Sequence, residues 1–442
     1  MKKAAGFIFK AGIIIALLIF TSSNAAASGF ALVEQSGKGL GEAFAGGRTD
    51  TKDASSLFYN PAAMAFMKKN SVGASFSAID LSLKFKDEGS HTVTGAPLTG
   101  GNGGDGGTLG LIPNLYFVHQ LMEQIKIGLT INAPFGLATK YDKEWKGRYH
   151  GVETDLTVIG ISPAVAVEVL PELLSLGASV NIEYADAKLT NAIDFGTILM
   201  AGGTTPQSLD GFVDLRGDDW AVGYSLGLLC TVTPNTRIGI SYRSKVDHNL
   251  SGNVDFDVPA TARGMLDAMG MANYFIDTNG TARLTLPESL SGGIYQRIGE
   301  YFALMGDVSW TNWRRFRELV AKFDSGQPPS ATEEYWEDTM TYRLGVNYFA
   351  SNELTLRAGT AYDQGAVKTE YRTPRIPDND RIWLTLGLGY AFSEDLRIDL
   401  GYAHLFINDG NSQLANEPVA GYLIGEYESS IDIFSIEGSL LF

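Results

Sequence analysis

The chain has 442 residues, of which 50 are acidic and 34 are basic, and its formal net charge is -16. This acidic balance argues against a nucleic-acid partner, because phosphate binding requires clustered Lys and Arg. Cys230 is the only cysteine in the sequence, so an intrachain disulfide is excluded. Beyond the N-terminus no apolar run approaches the roughly 18 residues of a membrane helix, and the sequence therefore predicts none.

The first 27 residues have the three parts of a secretory signal peptide. Lys2 and Lys3 give a positive start, residues 11–20 form a short apolar core, and Ala25-Ala26-Ala27 supplies small residues for cleavage. We predict cleavage after Ala27. The alternative is a retained anchor, but the apolar core is too short for a stable span.

Residues 28–68, here called the hatch, are rich in Gly, Ala and Ser and fit neither a strand nor a long amphipathic helix. They lie between the export signal and a long series of predicted strands, which predicts a plug inside a barrel. Asn60-Pro61-Ala62 is a turn signal within the hatch, and the Asn60 amide can bond nearby backbone or the barrel wall. The alternative is a turn that only shapes the plug.

Residues 69–442 alternate between apolar and polar side chains with period two, which is typical of strands. In the run from Arg381 to Phe392, one face carries Ile382, Leu384, Leu386, Leu388, Tyr390 and Phe392. In a soluble sandwich this face would point inward, whereas in a membrane barrel it would point to lipid. Alternation alone leaves both folds open.

The lengths of the connections favour the membrane barrel. Short turns are predicted near residues 122–123, 171–172, 234–235, 299–300, 351–352 and 393–394. They alternate with long loops near 87–109, 140–153, 191–216, 257–280, 321–335, 369–378 and 409–427. We therefore predict an all-β fold, a transmembrane antiparallel β-barrel of about 14 strands, because outer-membrane barrels combine tight turns at one end with long loops at the other.

Two strands carry further signals. The third, from Ile125 to about Thr139, contains Ala133-Pro134-Phe135-Gly136, and Pro and Gly should break its pairing. This kink could equally be a bend at the barrel rim without a role in transport. The last strand ends in Phe442, which resembles an outer-membrane assembly signal, so the barrel-assembly machinery, outer-membrane lipid and lipopolysaccharide are expected partners.

Several motifs together resemble the FadL/TodX (OMPP1) family of outer-membrane transporters for long-chain fatty acids and other hydrophobic compounds. They are Gly29-Phe30, Gly39-Leu40-Gly41, Asn60-Pro61-Ala62, Ile112-Pro113-Asn114, residues 135–139, Leu286-Pro287-Glu288, Trp310-Thr311-Asn312-Trp313 and residues 376–384. The resemblance implies a location in a Gram-negative outer membrane and passive diffusion of the ligand. It implies capture by loops, a pocket in the barrel, rearrangement of the hatch and lateral exit at Pro134, Phe135 and Gly136.

Two predicted loops are unusually apolar, and we expect them to capture or hold the ligand, because Met and aromatic residues suit adaptable apolar surfaces. The residues concerned are Leu199 and Met200 in one loop and Met265, Leu266, Met269, Tyr274 and Phe275 in the other. The alternative is that these loops only pack on each other and cap the barrel.

Family members that take fatty acids use basic side chains for the carboxylate, but at the expected positions this chain has Asn191 and Val320. Lys188, Arg315 and Arg317 lie near and are candidate carboxylate partners. The alternatives are a transporter of uncharged aromatic or aliphatic hydrocarbons and a diffusion porin for polar solutes.

Nothing in the sequence indicates an enzyme. The five histidines show no spacing typical of a catalytic pair or a metal site, so we expect no catalytic residues, no metal and no cofactor. We expect the protein to be a monomer.

Overall fold

The computed structural model describes residues 29–442, so the predicted signal peptide (residues 1–27) and Ser28 lie outside the described range. Within residues 29–442, no helix has both the length and the apolar character needed to cross a membrane. The strand segments are β1 Ser71–Asp87, β2 Leu109–Met122, β3 Ile125–Lys140, β4 Glu153–Leu170, β5 Leu174–Asp194, β6 Asp210–Thr233, β7 Thr236–Arg243, β8 Val246–Asp257, β9 Thr278–Leu286, β10 Ser289–Ile298, β11 Phe302–Thr311, β12 Glu318–Phe323, β13 Ser330–Glu333, β14 Thr339–Phe349, β15 Leu354–Asp363, β16 Arg381–Ala391, β17 Leu396–Ile407, β18 Gly410–Leu414 and β19 Leu423–Leu441.

Helices are short and lie in the hatch and in the loops. The α-helices are Gly37–Gly41, Ser56–Tyr59, Phe195–Ile198 and Ala260–Ala268. The 3-10 helices are Pro61–Phe66, Met200–Gly202, Trp313–Arg315, Thr369–Tyr371 and Pro418–Ala420.

All the strand segments belong to one sheet that closes on itself, because β1 pairs with β19 along its whole length, from Ser71 with Leu441 to Asp87 with Gly425. Some barrel strands consist of two segments in succession, as in β7–β8, β9–β10, β11–β12, β13–β14 and β17–β18. Counted this way, residues 29–442 form a closed antiparallel barrel of 14 strands, which confirms the predicted fold class. Closure through β1 and β19 leaves no free edge at the first and last strands of the sheet.

The apolar face of the barrel points outward, which excludes the soluble sandwich. Leu386, at the centre of β16, is 62% exposed, whereas Asp399 and Glu437 on the inner face are each 1% exposed. This is the inverse of a soluble protein and is the arrangement expected in lipid. Exposed aromatic residues, among them Tyr224, Tyr342 and Tyr362, lie on the outer face, as in the aromatic girdles of membrane barrels.

The alternation of tight turns and long loops is confirmed, but three loops are shorter than predicted. One of them is the predicted loop 409–427, which contains β18 and the first residues of β19. Strands β5 and β6 remain paired up to Asp194 and Asp210, and β12 and β13 extend into the predicted loop 321–335. The side chains of this part of β5 and β6 include Asp186, Lys188 and Asp214. The hydrophobic alternation therefore ends there although the backbone ladder continues.

Candidate functional site

Residues 29–68 of the hatch lie inside the barrel and are almost completely buried. Its helix Gly37–Gly41 begins at Ser36, whose side chain accepts a hydrogen bond from the Gly39 N–H. The helix approaches the wall so closely that a Cβ at Gly41 would lie 2.7 Å from the Cα of Gly387 in β16. Glycine on both sides makes this backbone-to-backbone contact possible.

Asn60 joins two parts of the hatch to the wall. Its Oδ1 accepts a hydrogen bond from the Ala62 N–H at 3.0 Å, and its Nδ2 donates to the carbonyls of Arg48 at 2.8 Å and Leu228 at 3.1 Å. Leu228 belongs to β6, so this hydrogen bond of Asn60 to the wall is made at β6 and not at β3. Pro61, the next residue, lines a cavity of about 130 Å³ together with Pro134 and Phe135.

Buried charges fix the position of the hatch in the lumen. Lys38 forms ion pairs with Asp50 and Asp53 within the hatch, and its backbone N–H donates to Glu437 of β19 at 3.0 Å. Arg48 lies 3.5 Å from Asp307 of β11. Buried pairs of this kind add little net stability, because desolvation offsets the attraction, but a misplaced partner would leave a charge unpaired.

The wall is interrupted between β2 and β3. In the part of the chain that the structure describes, these strands have no paired residues beyond Leu115 and Ile131. Two residues of β3, Ala133 and Pro134, oppose a single residue of β4, so the predicted break is a β-bulge with one extra residue. After the bulge, β3 continues to pair with β4, but its edge towards β2 is left without a strand.

The N-terminal end of the hatch occupies this free edge. The Leu32 N–H donates to the Pro134 carbonyl, and the Gly136 N–H donates to the Phe30 carbonyl, both at 2.9 Å. The Gln35 side chain also donates to the Ala133 carbonyl at 2.8 Å. The hatch thus supplies the backbone partners that β2 provides elsewhere along β3.

Phe30 fills an aromatic pocket beside the bulge and is 1% exposed. Its ring centroid lies 4.8 Å from Trp313, 5.7 Å from Phe316, 5.8 Å from Trp336 and 6.0 Å from Phe135. Gly29 has a φ of 59°, and a Cβ there would lie 2.8 Å from the Trp336 ring, so only glycine fits. A pocket that accepts a phenylalanine side chain can also accept a similar apolar group.

The importance of Trp313 and Trp336 is not evident from the predicted motifs. Trp313 belongs to the motif Trp310-Thr311-Asn312-Trp313, but it follows β11 in a 3-10 helix, where strand alternation gives no direction for its side chain. Trp336 lies between β13 and β14, where alternation gives no guidance.

The predicted capture residues divide into two groups. Leu199 and Leu266 are fully buried in a cluster between the two loops, which Met265 and Phe275 contact from its edge. Met200 is 37% and Met269 is 49% exposed, and Tyr274 is half-buried. Loop-on-loop packing therefore accounts for the buried residues, while the exposed methionines remain accessible from outside.

The candidate carboxylate partners do not meet at the aromatic pocket. Lys188 lies 2.9 Å from Glu153, Arg315 lies 2.7 Å from Glu288, and Arg317 is exposed. Asn191, where the resemblance implies a basic side chain, accepts a hydrogen bond at 2.9 Å from Arg375, which sequence reasoning did not single out.

Comparisons with known proteins agree with this architecture. Residues 18–442 match the family model described as "Outer membrane protein transport protein (OMPP1/FadL/TodX)". A long-chain fatty acid transport protein of Escherichia coli O6:H1 is 31% identical over 398 residues, which cover 87% of this chain and 88% of the relative. The 47 kDa outer membrane protein of Pasteurella multocida is 30% identical over 417 residues, covering 90% of this chain and 91% of that protein.

Two solved structures illustrate the fold. The crystal structure of a Pseudomonas aeruginosa FadL homologue has a TM-score of 0.88 and 26% identity, and the match covers 94% of this chain and 100% of that chain. The toluene transporter TodX of P. putida has a TM-score of 0.69 and 20% identity, with coverage of 92% and 99%. At this lower identity the likeness to TodX concerns the fold alone.

The close contact at Gly177 indicates that the hatch can pack against the wall only if this position carries no side chain. A Cβ at Gly177 would lie 2.7 Å from the Ala62 Cα. We expect Gly177→Val to cost about 1–3 kcal/mol through overpacking and to displace the hatch from a folded barrel. In planar bilayers this variant should show larger conductance than the wild type. Gly438→Val is the matched control, because Gly438 has open space around it, and equal conductance in both variants would contradict the prediction.

Glu34 predicts a pH dependence of hatch seating. The side chain is buried, and burial raises the pKa of Glu34 to about 7, although Arg381 opposes the shift. Because the seated pKa lies above the ordinary value, seating is strongest in acid and weakens as the pH rises through 7. Between pH 5.5 and pH 8.0 we expect a loss of about 2 kcal/mol. Hydrogen exchange of residues 30–36, corrected for intrinsic rates, measures this loss, and Glu34→Gln should abolish it. The same pH dependence in both proteins would refute the assignment.

Proposed function

The chain belongs to the OMPP1/FadL/TodX family of outer-membrane transport proteins, and we propose that it carries long-chain fatty acids across a Gram-negative outer membrane by passive diffusion. The observation that carries this proposal is the double role of Phe30 to Leu32. The segment fills the aromatic pocket with Phe30 and pairs with the free edge of β3 through its backbone.

Capture begins at the extracellular loops. Met200 and Met269 present flexible apolar side chains above a loop core that holds them in place. Weak and adaptable contacts of this kind suit a first encounter with an acyl chain, because thioether side chains adjust to many shapes. The ligand then passes to the aromatic pocket deeper in the lumen.

Occupation of the pocket is coupled to the opening of the wall. An acyl chain that displaces Phe30 also pulls on the two backbone hydrogen bonds between the hatch and β3. The pocket ligand therefore favours the state in which the β3 edge is free, and the size of this bias equals the difference of its affinity between the two states. Residues 28–68 act as the mobile hatch, and Pro134, Phe135 and Gly136 form the lateral gate.

Lateral exit is the favourable route for an apolar ligand. At the end with the short turns, the lumen contains a cavity of about 550 Å³ lined by charged groups such as Lys38, Asp50, Arg237 and Arg357. An acyl chain would lose hydrophobic free energy there, whereas the gap between β2 and β3 leads to the bilayer.

Two alternative functions differ from fatty-acid transport in the ligand that the protein would carry. Uncharged hydrocarbons would use the same pocket and gate, as the toluene-transporting neighbours of the same fold suggest. A diffusion pore for polar solutes is disfavoured by the close packing of the hatch against the wall. We propose no enzymatic activity, and we propose a monomer that lipid and lipopolysaccharide surround after insertion by the barrel-assembly machinery.

Uptake in cells tests the proposed function. Cells that contain the protein should accumulate a labelled long-chain fatty acid faster than cells that lack it, while the purified protein should conduct few ions in planar bilayers. If cells with and without the protein took up every tested fatty acid and hydrocarbon at the same rate, a transport role for hydrophobic compounds would be refuted. A large and steady conductance would favour the pore.

Deletion of Pro134 tests the lateral gate. Removing one residue lets β3 pair with β4 in a single register, so the strand can continue alongside β2 and close the gap. We expect uptake to fall close to that of cells without the protein, while the barrel still folds and inserts. Pro134→Ala is the matched control, since it keeps the extra residue and should retain uptake. Normal uptake in the deletion variant would refute the proposed lateral gate.

A further inference from the structure

Arg375 is a buried arginine in the loop between β15 and β16. The side chain is 8% exposed and packs over Gly151, where a Cβ would lie 3.2 Å from the Arg375 Cγ. Two hydroxyl groups fix the backbone, since Tyr141 donates to the Pro374 carbonyl at 3.0 Å and Thr139 donates to the Arg375 carbonyl at 3.3 Å. The guanidinium group is therefore held in place from both the loop and the wall.

The partners of this guanidinium group are neutral. Nη2 donates to the Asn191 side chain at 2.9 Å, and Nη1 donates to the Thr154 hydroxyl at 3.2 Å. Among residues 29–442, no carboxylate oxygen forms an ion pair with Arg375 within 4.0 Å. Two buried arginines of the barrel differ in this respect, because Arg343 pairs with Asp307 and Arg357 with Asp399, whereas the buried Arg372 of the same loop donates to backbone carbonyls.

Glu417 and Glu334 interact with Arg375 through their charges, but among residues 29–442 neither forms an ion pair with it within 4.0 Å. Burial raises the pKa of Glu334 to about 8, so this side chain is mostly protonated at neutral pH, even though Trp336 donates a hydrogen bond to it at 2.8 Å. Burial also raises the pKa of Glu417. The same burial lowers the pKa of Arg375 to about 10, which still leaves the guanidinium group charged. A buried cation without a bonded carboxylate is costly unless an anion joins it.

Arg375 also borders the aromatic pocket. Ile376, the next residue, belongs to the same buried cluster as Phe30, Trp313 and Trp336. Trp336 connects the two regions, since its ring contacts Phe30 and its N–H binds Glu334. A positive charge at the edge of an apolar pocket matches an amphiphile with an anionic head and an acyl tail.

On the basis of the proposed function, we infer that Arg375, oriented by Asn191 and Thr154, binds the carboxylate of a fatty acid whose acyl chain replaces Phe30 in the aromatic pocket. A guanidinium group can bind both oxygens of a carboxylate in parallel, which a lone ammonium cannot do. Arg375 thus replaces Lys188, Arg315 and Arg317 as the candidate that binds the ligand carboxylate. Lys188 and Arg315 have carboxylate partners of their own. The protein then selects anionic amphiphiles over hydrocarbons of the same length.

A purely structural role is the competing interpretation, because Arg375 also ties its loop to β4 and β5. The two roles differ in their effect on a neutral ligand. We would compare binding of the fluorescent fatty acid cis-parinaric acid with binding of its methyl ester, using the purified full-length protein. The acid carries the charge, whereas the ester has the same chain without it.

Arg375→Gln should weaken binding of the acid about 10- to 100-fold, the worth of a hydrogen-bonded charge, and leave binding of the ester within about twofold. Arg375→Lys should recover part of the loss. Asn191→Asp leaves the arginine in place but adds a carboxylate beside it, so it should weaken binding of the acid selectively. Arg315→Gln is the matched control and should change neither ligand, because Arg315 is exposed and paired with Glu288.

Equal loss of both ligands in Arg375→Gln and Asn191→Asp would overturn the inference in favour of the structural role. Unchanged binding of the acid in both variants would also overturn it, while the proposed transport of hydrophobic compounds would stand. If the wild type bound neither the acid nor the ester, the proposed function itself would fail. As a folding control, each variant should resist unfolding in gel electrophoresis as the wild type does, which would confirm that the barrel is intact.

Discussion

The backbone pairing between the hatch and β3 is the interaction on which the rest of the structure depends. A barrel in lipid must satisfy every backbone N–H and C=O, yet β2 and β3 stop pairing at Leu115 and Ile131. Phe30 and Leu32 satisfy part of the edge that is left, so the seated hatch completes the wall as well as filling the lumen. The same segment therefore contributes to the wall through its backbone and fills the pocket with the Phe30 side chain.

Small residues and buried charges give the hatch a defined place without strong apolar adhesion. Gly41 meets Gly387, and Gly177 meets Ala62, so the surfaces approach through backbone atoms. The ion pair of Arg48 with Asp307 and the hydrogen bond from the Lys38 N–H to Glu437 join the hatch to the wall and are satisfied in one position only. Interactions of this kind specify a position more than they stabilise it. The hatch rearrangement proposed above requires a defined resting position of this kind.

The sequence predicts the barrel well, because contact with lipid requires an apolar residue at every second position and turn residues between the strands. It predicts the upper parts of β5 and β6 poorly, since Asp186 and Lys188 face water there while the backbone stays paired. The bulge at Pro134 is predictable from local chemistry. The aromatic pocket and Arg375 are not, because they form only when residues far apart in the chain, such as Phe30, Trp336 and Asn191, meet in the lumen.

The bulge in β3 arises from one residue in excess and does not depend on any particular side chain lining the pocket. In the proposed mechanism, the path to the bilayer is thus encoded in chain length, whereas the preference for a ligand is encoded in side chains such as Arg375 and Trp313. These two properties can be inherited separately. Replacement of a few lumen residues would then change the ligand while the bulge in β3 and the gap beside it stay the same. This makes the architecture an adaptable starting point for acquiring or engineering new uptake specificities.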